Sequence, residues 1–214
     1  MAEMIHWPLA SLELATPRLR LRVPSAPELD ALAGLAAGGV HDAAVQPFTV
    51  AWTDAEPQVV ARRVLKYAWG TWAGWEPEGW SLWLAVVHDG AVIGSQEVSA
   101  RDFAVRREVT TGSWLGKDFH GKGFGTEMRA AVLHLAFAGL GARHATSGAY
   151  VHNAASLGVS RKLGYRDDGV EHHSVRGADA TLQRLRLTRA DWEARRSTEV
   201  RVAGLEPCLP MFGL

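Results

Sequence analysis

The sequence predicts a mixed α/β (α+β) fold, a central sheet flanked by helices. Three observations carry that reading. Strand and helix patterns alternate in the order strand, two helices, three strands, helix, strand, helix, two strands. The middle of the chain reads as a β meander with a tight turn at Asp89-Gly90. One local β-helix-β unit follows it, at the centre of the sheet, where two strands run parallel.

Arg18 to Val23 alternates apolar and basic residues, the pattern of a half-buried strand. Pro24 stops it, and Ser25 caps a helix that runs to about Ala37, where Gly38-Gly39 ends it. His41 to Trp52 has no period and reads as a loop. Asp54 is placed to cap a second helix, with Val60, Val64, Ala68 and Trp72 at helical spacing. Gly74 to Gly79 breaks it. Ser81 to Val87, Ala91 to Ala100 and Glu108 to Leu115 form the meander. A glycine-rich stretch, Gly116 to Thr126, leads into a helix with Met128, Ala131, Val132, Leu135 and Ala136 on one face. His144 to Val151 is a strand; Asn153 caps a short helix that stops at Gly164. Tyr165 to Val175 and Ala180 to Leu187 form a hairpin across Arg176-Gly177. Residues 1–196 read as one domain, and 197–214, with Pro207 and Pro210, as an arm.

With 214 residues and 47% of them apolar, the chain can bury a substantial core. Its 23 basic and 23 acidic residues leave a net charge of zero, so no global field draws it to nucleic acid or anionic lipid. No apolar run approaches the ~20 residues of a membrane helix, and Met1 to Leu14 lacks the pattern of a signal peptide. The single cysteine, Cys208, excludes an intrachain disulfide and a cysteine-rich zinc site. The expectation is a cytoplasmic protein without a resident metal. Adjacent His172 and His173 would point to opposite faces of a strand and chelate poorly.

Strand, glycines and helix in succession are the geometry that binds phosphate: glycine lets the backbone approach, and the helix start favours negative charge. Lys117, His120 and Lys122 add charge around that point. A kinase-type P-loop fits Gly116 to Lys122, except that Gly123 stands where a magnesium-binding hydroxyl belongs. A dinucleotide loop fits Gly121 and Gly123, except that Thr126 takes the third glycine's place. A plain turn is the remaining reading, and three glycines in five residues make it uneconomical.

His120-Gly121-Lys122-Gly123-Phe124-Gly125 resembles the pyrophosphate loop of the GNAT N-acetyltransferase superfamily, with His120 in place of the usual glutamine or arginine. Downstream, the segment from Asn153 through Ser156 and Ser160 to Lys162-Leu163-Gly164-Tyr165 is similar to that superfamily's second motif. Thr16-Pro17-Arg18-Leu19-Arg20-Leu21-Arg22, with Glu127 after the loop, resembles the RimJ/RimL-like branch.

The resemblance covers roughly Ala15 to Leu187. It implies the GNAT fold, with a twisted, mostly antiparallel mixed sheet. It also implies acyl-CoA as co-substrate, acetyl-CoA by default and succinyl-CoA as the alternative, with Arg106 and Arg107 as the cations an acyl carboxylate would need. An acyl-CoA-binding module without turnover is a further alternative.

The implied acceptor is a primary amine, on a small molecule or a protein N-terminus, that attacks the thioester directly. Gly121, Lys122, Gly123, Phe124, Gly125 and Thr126 are implied to hold pyrophosphate, with His120 beside them, and Trp114 and Leu115 to pair with the pantetheine arm. Asn153 is implied to bind the CoA arm; Ser160 is the implied proton donor and Ser156 its competitor. For the base, Glu108 comes first and Asp179 second, with His120, His144 and water as further options. Trp69, Trp72 and Trp75 step by three along one helix face, expected to pack inward or to wall an acceptor pocket. Apolar residues in the arm suggest a homodimer.

Overall fold

The structure, a computed structural model, describes residues 4–214; the first three residues of the expected domain lie outside it. Nine strands form one sheet in the order β7-β8-β6-β5-β4-β3-β2-β1-β9. They are β1 (Glu13–Ala15), β2 (Arg20–Arg22), β3 (Gly79–His88), β4 (Ala91–Arg101), β5 (Glu108–Leu115), β6 (His144–Tyr150), β7 (Arg166–Val175), β8 (Ala178–Thr188) and β9 (Arg201–Ala203). Every neighbouring pair is antiparallel except β5 with β6. The parallel pair needs a crossover, and the helix after the glycine loop supplies it.

Helices α1 (Ala26–Ala37) and α2 (Pro57–Ala73) cover one face. Leu29, Leu32 and Ala36 of α1 and Val60, Val64 and Ala68 of α2 pack there with Trp83 and Ala85 of β3. The opposite face carries α4 (Phe124–His134), which runs on into a π-helical turn (Leu135–Gly139), and α5 (Ala154–Lys162). Leu82, Leu84 and Val86 alternate with Trp83 and Ala85 and meet Met128, Val132 and Leu157 there. Ser25 caps α1 as expected, its backbone N–H donating to Glu28 at 2.9 Å. At the β3–β4 turn Asp89 and Gly90 both take positive φ, the type I′ geometry that matches strand twist.

Some expectations need correction. Asp54 does not cap α2; the cap position is Glu56, before Pro57, and Asp54 instead pairs with Arg176 at 2.6 Å. Trp69 is exposed, and Trp75 lies past the helix end in the opposite core, so the three tryptophans share no buried face. A step of three lags the helical turn by about 60°, and the buried stripe is Val60, Val64 and Ala68. The periodicity also missed β1, β9, the single turn α3 (Phe103–Arg106) and α6 (Arg189–Arg195).

The segment 197–214 is not a free arm. Val202 pairs with Leu14, extending the sheet, and Phe212 packs edge-on against Trp75 and Trp80 with ring centres 5.4 and 4.8 Å away. Cys208 is fully buried, its thiol pushed up to about 11 by burial. The tail's buried apolar residues therefore find their partners within the chain, which removes the argument made from them for a homodimer.

Candidate active site

β5 and β6 are paired only at their starts: Glu108 with His144, Val109 with Ala145 and Thr110 with Thr146. Beyond that rung each strand stays with its other neighbour, β5 with β4 as far as Leu115 and β6 with β8 as far as Tyr150. The two therefore part in a V. Hydroxyls bridge its apex: Thr111 Oγ1 donates to the Thr146 carbonyl, and Ser147 Oγ to the Thr111 carbonyl, both at 3.4 Å. Past the apex, the β6-facing edge of β5 is free to pair with an extended ligand. Trp114 and Leu115 lie in this free stretch, Trp114 packing on Trp52 and Leu115 on the core below.

The glycine loop lies at the mouth of the V, between the end of β5 and the start of α4. Gly121 and Gly123 have φ of +73° and +83°, which side-chain-bearing residues rarely adopt. Among the described residues, none of the amides of Gly121, Lys122, Gly123, Phe124 and Gly125 donates a hydrogen bond within the chain. Thr126 differs: its amide donates to the Gly123 carbonyl at 3.2 Å. Five free amides at a helix start form a nest for an anion. His120 props the loop from behind, its Nε2 sitting 3.0 Å from the Leu115 carbonyl. Arg18 clamps the front, donating to the Lys122 carbonyl at 3.1 Å.

α5 forms the other wall. Asn153 accepts from the Ser156 amide at 3.1 Å, so its side chain does serve as the helix cap. One turn deeper, Ser160 is buried and donates to the Ser156 carbonyl at 3.2 Å. Its oxygen accepts from Arg129 of α4 at 2.7 Å, and Arg129 also reaches Ser113 of β5 at 3.2 Å. Tyr165 closes the apex, its hydroxyl 3.2 Å from that of Thr111. Arg129 thus links Ser160 of α5 to Ser113 in the free stretch of β5. Sequence reasoning missed Arg129, although an arginine beside Met128 and Val132 on an apolar helix face is a visible irregularity.

On the α2 face of the sheet a groove of about 710 Å³ runs beside the apex, lined by Lys66, Tyr67, Ser81, Ser99, Arg101 and Thr110 among others. Glu108 lines it too, but Arg106 and Arg186 hold its two carboxylate oxygens at 2.8 and 2.5 Å. Asp179 lies farther off, beyond the last β6–β8 rung, exposed beside His172 at 3.4 Å. The structure therefore places Glu108 in the groove, two residues before the last β5–β6 rung and held by two arginines, and Asp179 at the exposed end of β8.

Glu97, which the sequence reading did not single out, lies on the neighbouring strand β4. Glu97 pairs with Gly112 across β4–β5, and a Cβ on Gly112 would lie 3.9 Å from its Oε2. Gly112 is two residues past the last β5–β6 rung. Tyr67 donates to Glu97 at 2.8 Å and Ser81 also hydrogen-bonds it. Burial, then the Glu97 charge, push the Tyr67 phenol well above its usual range, so it stays protonated as a donor. The β7–β8 hairpin tip reaches the loop after α1, where Arg176 donates to the Ala43 carbonyl at 2.8 Å besides pairing with Asp54.

The fold is a nine-stranded mixed α/β sheet that opens at its one parallel pair, with a glycine-capped helix start and its free amides at the opening. The family model for the acetyltransferase (GNAT) domain matches residues 18–166, and the chain belongs to that family. Solved structures share the fold. RimJ of Mycobacterium smegmatis, in complex with CoA-disulfide, is 18% identical with a TM-score of 0.68, covering 90% of this chain and 98% of its own. A RimL ribosomal L7/L12 alpha-N-protein acetyltransferase in complex with coenzyme A is 17% identical with a TM-score of 0.63, covering 81% and 95%. A GCN5-related N-acetyltransferase from Brucella melitensis is 20% identical with a TM-score of 0.68, covering 86% and 81%.

Proposed function

We propose that this acetyltransferase moves the acetyl group of acetyl-CoA to a primary amine by direct attack, in the cytoplasm. The observation that carries the reading is the V between β5 and β6, with five free amides at its mouth. These residues fit CoA. Gly121 has open space where a Cβ would stand, so a phosphate can approach the backbone there. When bound, CoA supplies the activated thioester; the chain supplies everything else.

Gly121 to Gly125 hold the pyrophosphate, Trp114 and Leu115 align the pantetheine, and Asn153 and Ser156 border its path. A β5 amide past the apex polarises the carbonyl, the logic of an oxyanion hole. Ser160 faces the leaving sulfur. Glu97 takes the proton from the amine in preference to Glu108 and Asp179, because its carboxylate lies over Gly112 without an ion-pair partner within 4 Å among the described residues. The acceptor enters along the groove lined by Tyr67 and Thr110.

The RimL structure that shares this fold is a ribosomal L7/L12 alpha-N-protein acetyltransferase, which favours a protein N-terminal amine as the first acceptor to try. The test is thiol release from acetyl-CoA across a panel of amines and short peptides, with wild type and Glu97→Gln. The reading expects turnover with at least one amine, and an acid limb of the pH-rate profile that Glu97→Gln removes. An unchanged acid limb would return the base to Glu108, Asp179 or water.

A further inference from the structure

Arg129 is the most buried of the charged side chains among the described residues, at 4% exposure. No carboxylate lies within ion-pair distance of it there. Its Nη1 donates to Ser160 Oγ at 2.7 Å and its Nη2 to Ser113 Oγ at 3.2 Å, while its Nε has no partner. A buried cation that only neutral oxygens solvate is destabilising in the resting protein. Burial lowers its pKa, yet a guanidinium remains charged at neutral pH. The titratable group facing it is Tyr165, whose phenol burial pushes up and so keeps neutral. The site thus holds a positive charge with no resident anion, bonded to Ser160 of α5 and to Ser113 in the stretch of β5 that borders the V.

We infer that Arg129 is a positioning residue for the departing sulfur: it holds Ser160 by an oxygen lone pair and sets an uncompensated positive charge behind it. The inference rests on the reading that acyl-CoA lies in the V. With one lone pair held by Arg129, the Ser160 hydroxyl hydrogen is free to choose its acceptor. It now goes to the Ser156 carbonyl at 3.2 Å, and rotation about Cβ–Oγ redirects it.

In the reaction the amine nitrogen bonds to the acyl carbon, the C–S bond breaks, and its electron pair goes to sulfur. The proton lost by the amine goes to Glu97. Ser160 keeps its own proton, because a serine alkoxide is a far stronger base than a thiolate; it donates a hydrogen bond. Arg129 strengthens that donor and stabilises the sulfur's new charge through it. The ordinary apolar occupant of such a helix position would supply packing and no charge.

The test needs no acceptor. The thiol of CoA bound to the enzyme is titrated by its thiolate ultraviolet absorbance, in wild type, Arg129→Met, Arg129→Lys and Ser160→Ala. Wild type is expected to hold the thiol below the ~8.5 of a free thiol. Arg129→Met should raise it by about one unit or more. Arg129→Lys should keep part of the effect, and Ser160→Ala should lose part of it. A role in packing alone would leave thiol ionisation unchanged.

A wild-type value no lower than that of free CoA overturns the proposal, even if Arg129→Met fails to fold. So does a folded Arg129→Met with the wild-type value. Failure of the wild type to bind CoA at all would instead sink the function proposed above.

Discussion

Glu127 accepts two hydrogen bonds from Arg18, 109 residues away in sequence, at 3.0 Å from its backbone N–H and 2.7 Å from Nε, and forms an ion pair with Nη2 at 2.6 Å. Thr16 adds a third hydrogen bond at 2.6 Å. Arg18 also lies over the Phe124 ring at 4.6 Å and holds the Lys122 carbonyl. The turn between β1 and β2 is thereby latched to the first turn of α4, and the same arginine braces the glycine loop.

That latch predicts a pH-dependent stability. Burial pushes the Glu127 carboxyl up, but the bonds from Thr16 and Arg18 outweigh it and leave the pKa lowered. A depressed folded pKa stabilises above the unfolded value, about 4.3, and that contribution is lost as pH falls through the folded value. Glu127→Gln should cost about 1–3 kcal/mol near pH 7. Urea unfolding should show the gap between wild type and variant closing below about pH 4. A gap that stays constant with pH would mean that charge is not what the latch uses.

Gly123→Ala places a Cβ 3.4 Å from Arg18 Nη2 at a φ of +83°. The left-handed backbone costs a residue with a Cβ about 1–2 kcal/mol. The loop is expected to relax out of its nest, so CoA should bind roughly tenfold more weakly by calorimetry. Unchanged affinity would mean that these amides do not hold the phosphates.

Ser160→Ala removes the hydroxyl that Arg129 holds. It should lower kcat by about ten- to a hundredfold, below or at the small end of what positioned proton-handling groups contribute. CoA affinity should stay within about twofold, since the loop that carries most of it is untouched. Equal losses in kcat and affinity would make Ser160 a packing residue.

Phe212→Ala tests the tail. Phe212 is fully buried between Trp75 and Trp80, so truncation should cost about 3–5 kcal/mol. Trp75 also donates to the Met211 carbonyl at 2.8 Å, which ties the tail down beside it. Thermal unfolding followed by tryptophan fluorescence reads the change. A variant as stable as wild type would restore the picture of a detachable arm.

The local elements were legible because local chemistry specifies them. Ser25 and Asn153 cap helices, Asp89-Gly90 turns a hairpin, and β5 runs over Glu108 to Leu115 as the pattern predicts. The short β1 and β9 are three residues each, too few to show a period. The motifs also marked the glycine loop and α5, which the structure places on either side of the V. Glu97 and Arg129 were not legible, because their roles come from pairings across the sheet and between helices. Glu97 matters through Gly112 on the next strand, and Arg129 through Ser160, 31 residues on. Asp54 shows the same limit in reverse: a residue suited to capping was taken by Arg176, 122 residues away.

The most direct test of the central claim is calorimetric titration of the protein with CoA, acetyl-CoA, succinyl-CoA and magnesium-ATP. The V and its free amides predict micromolar binding of CoA and acetyl-CoA, and much weaker binding of magnesium-ATP. Binding of ATP in place of CoA, or of neither, would contradict the assignment of the β5–β6 opening to an acyl-CoA.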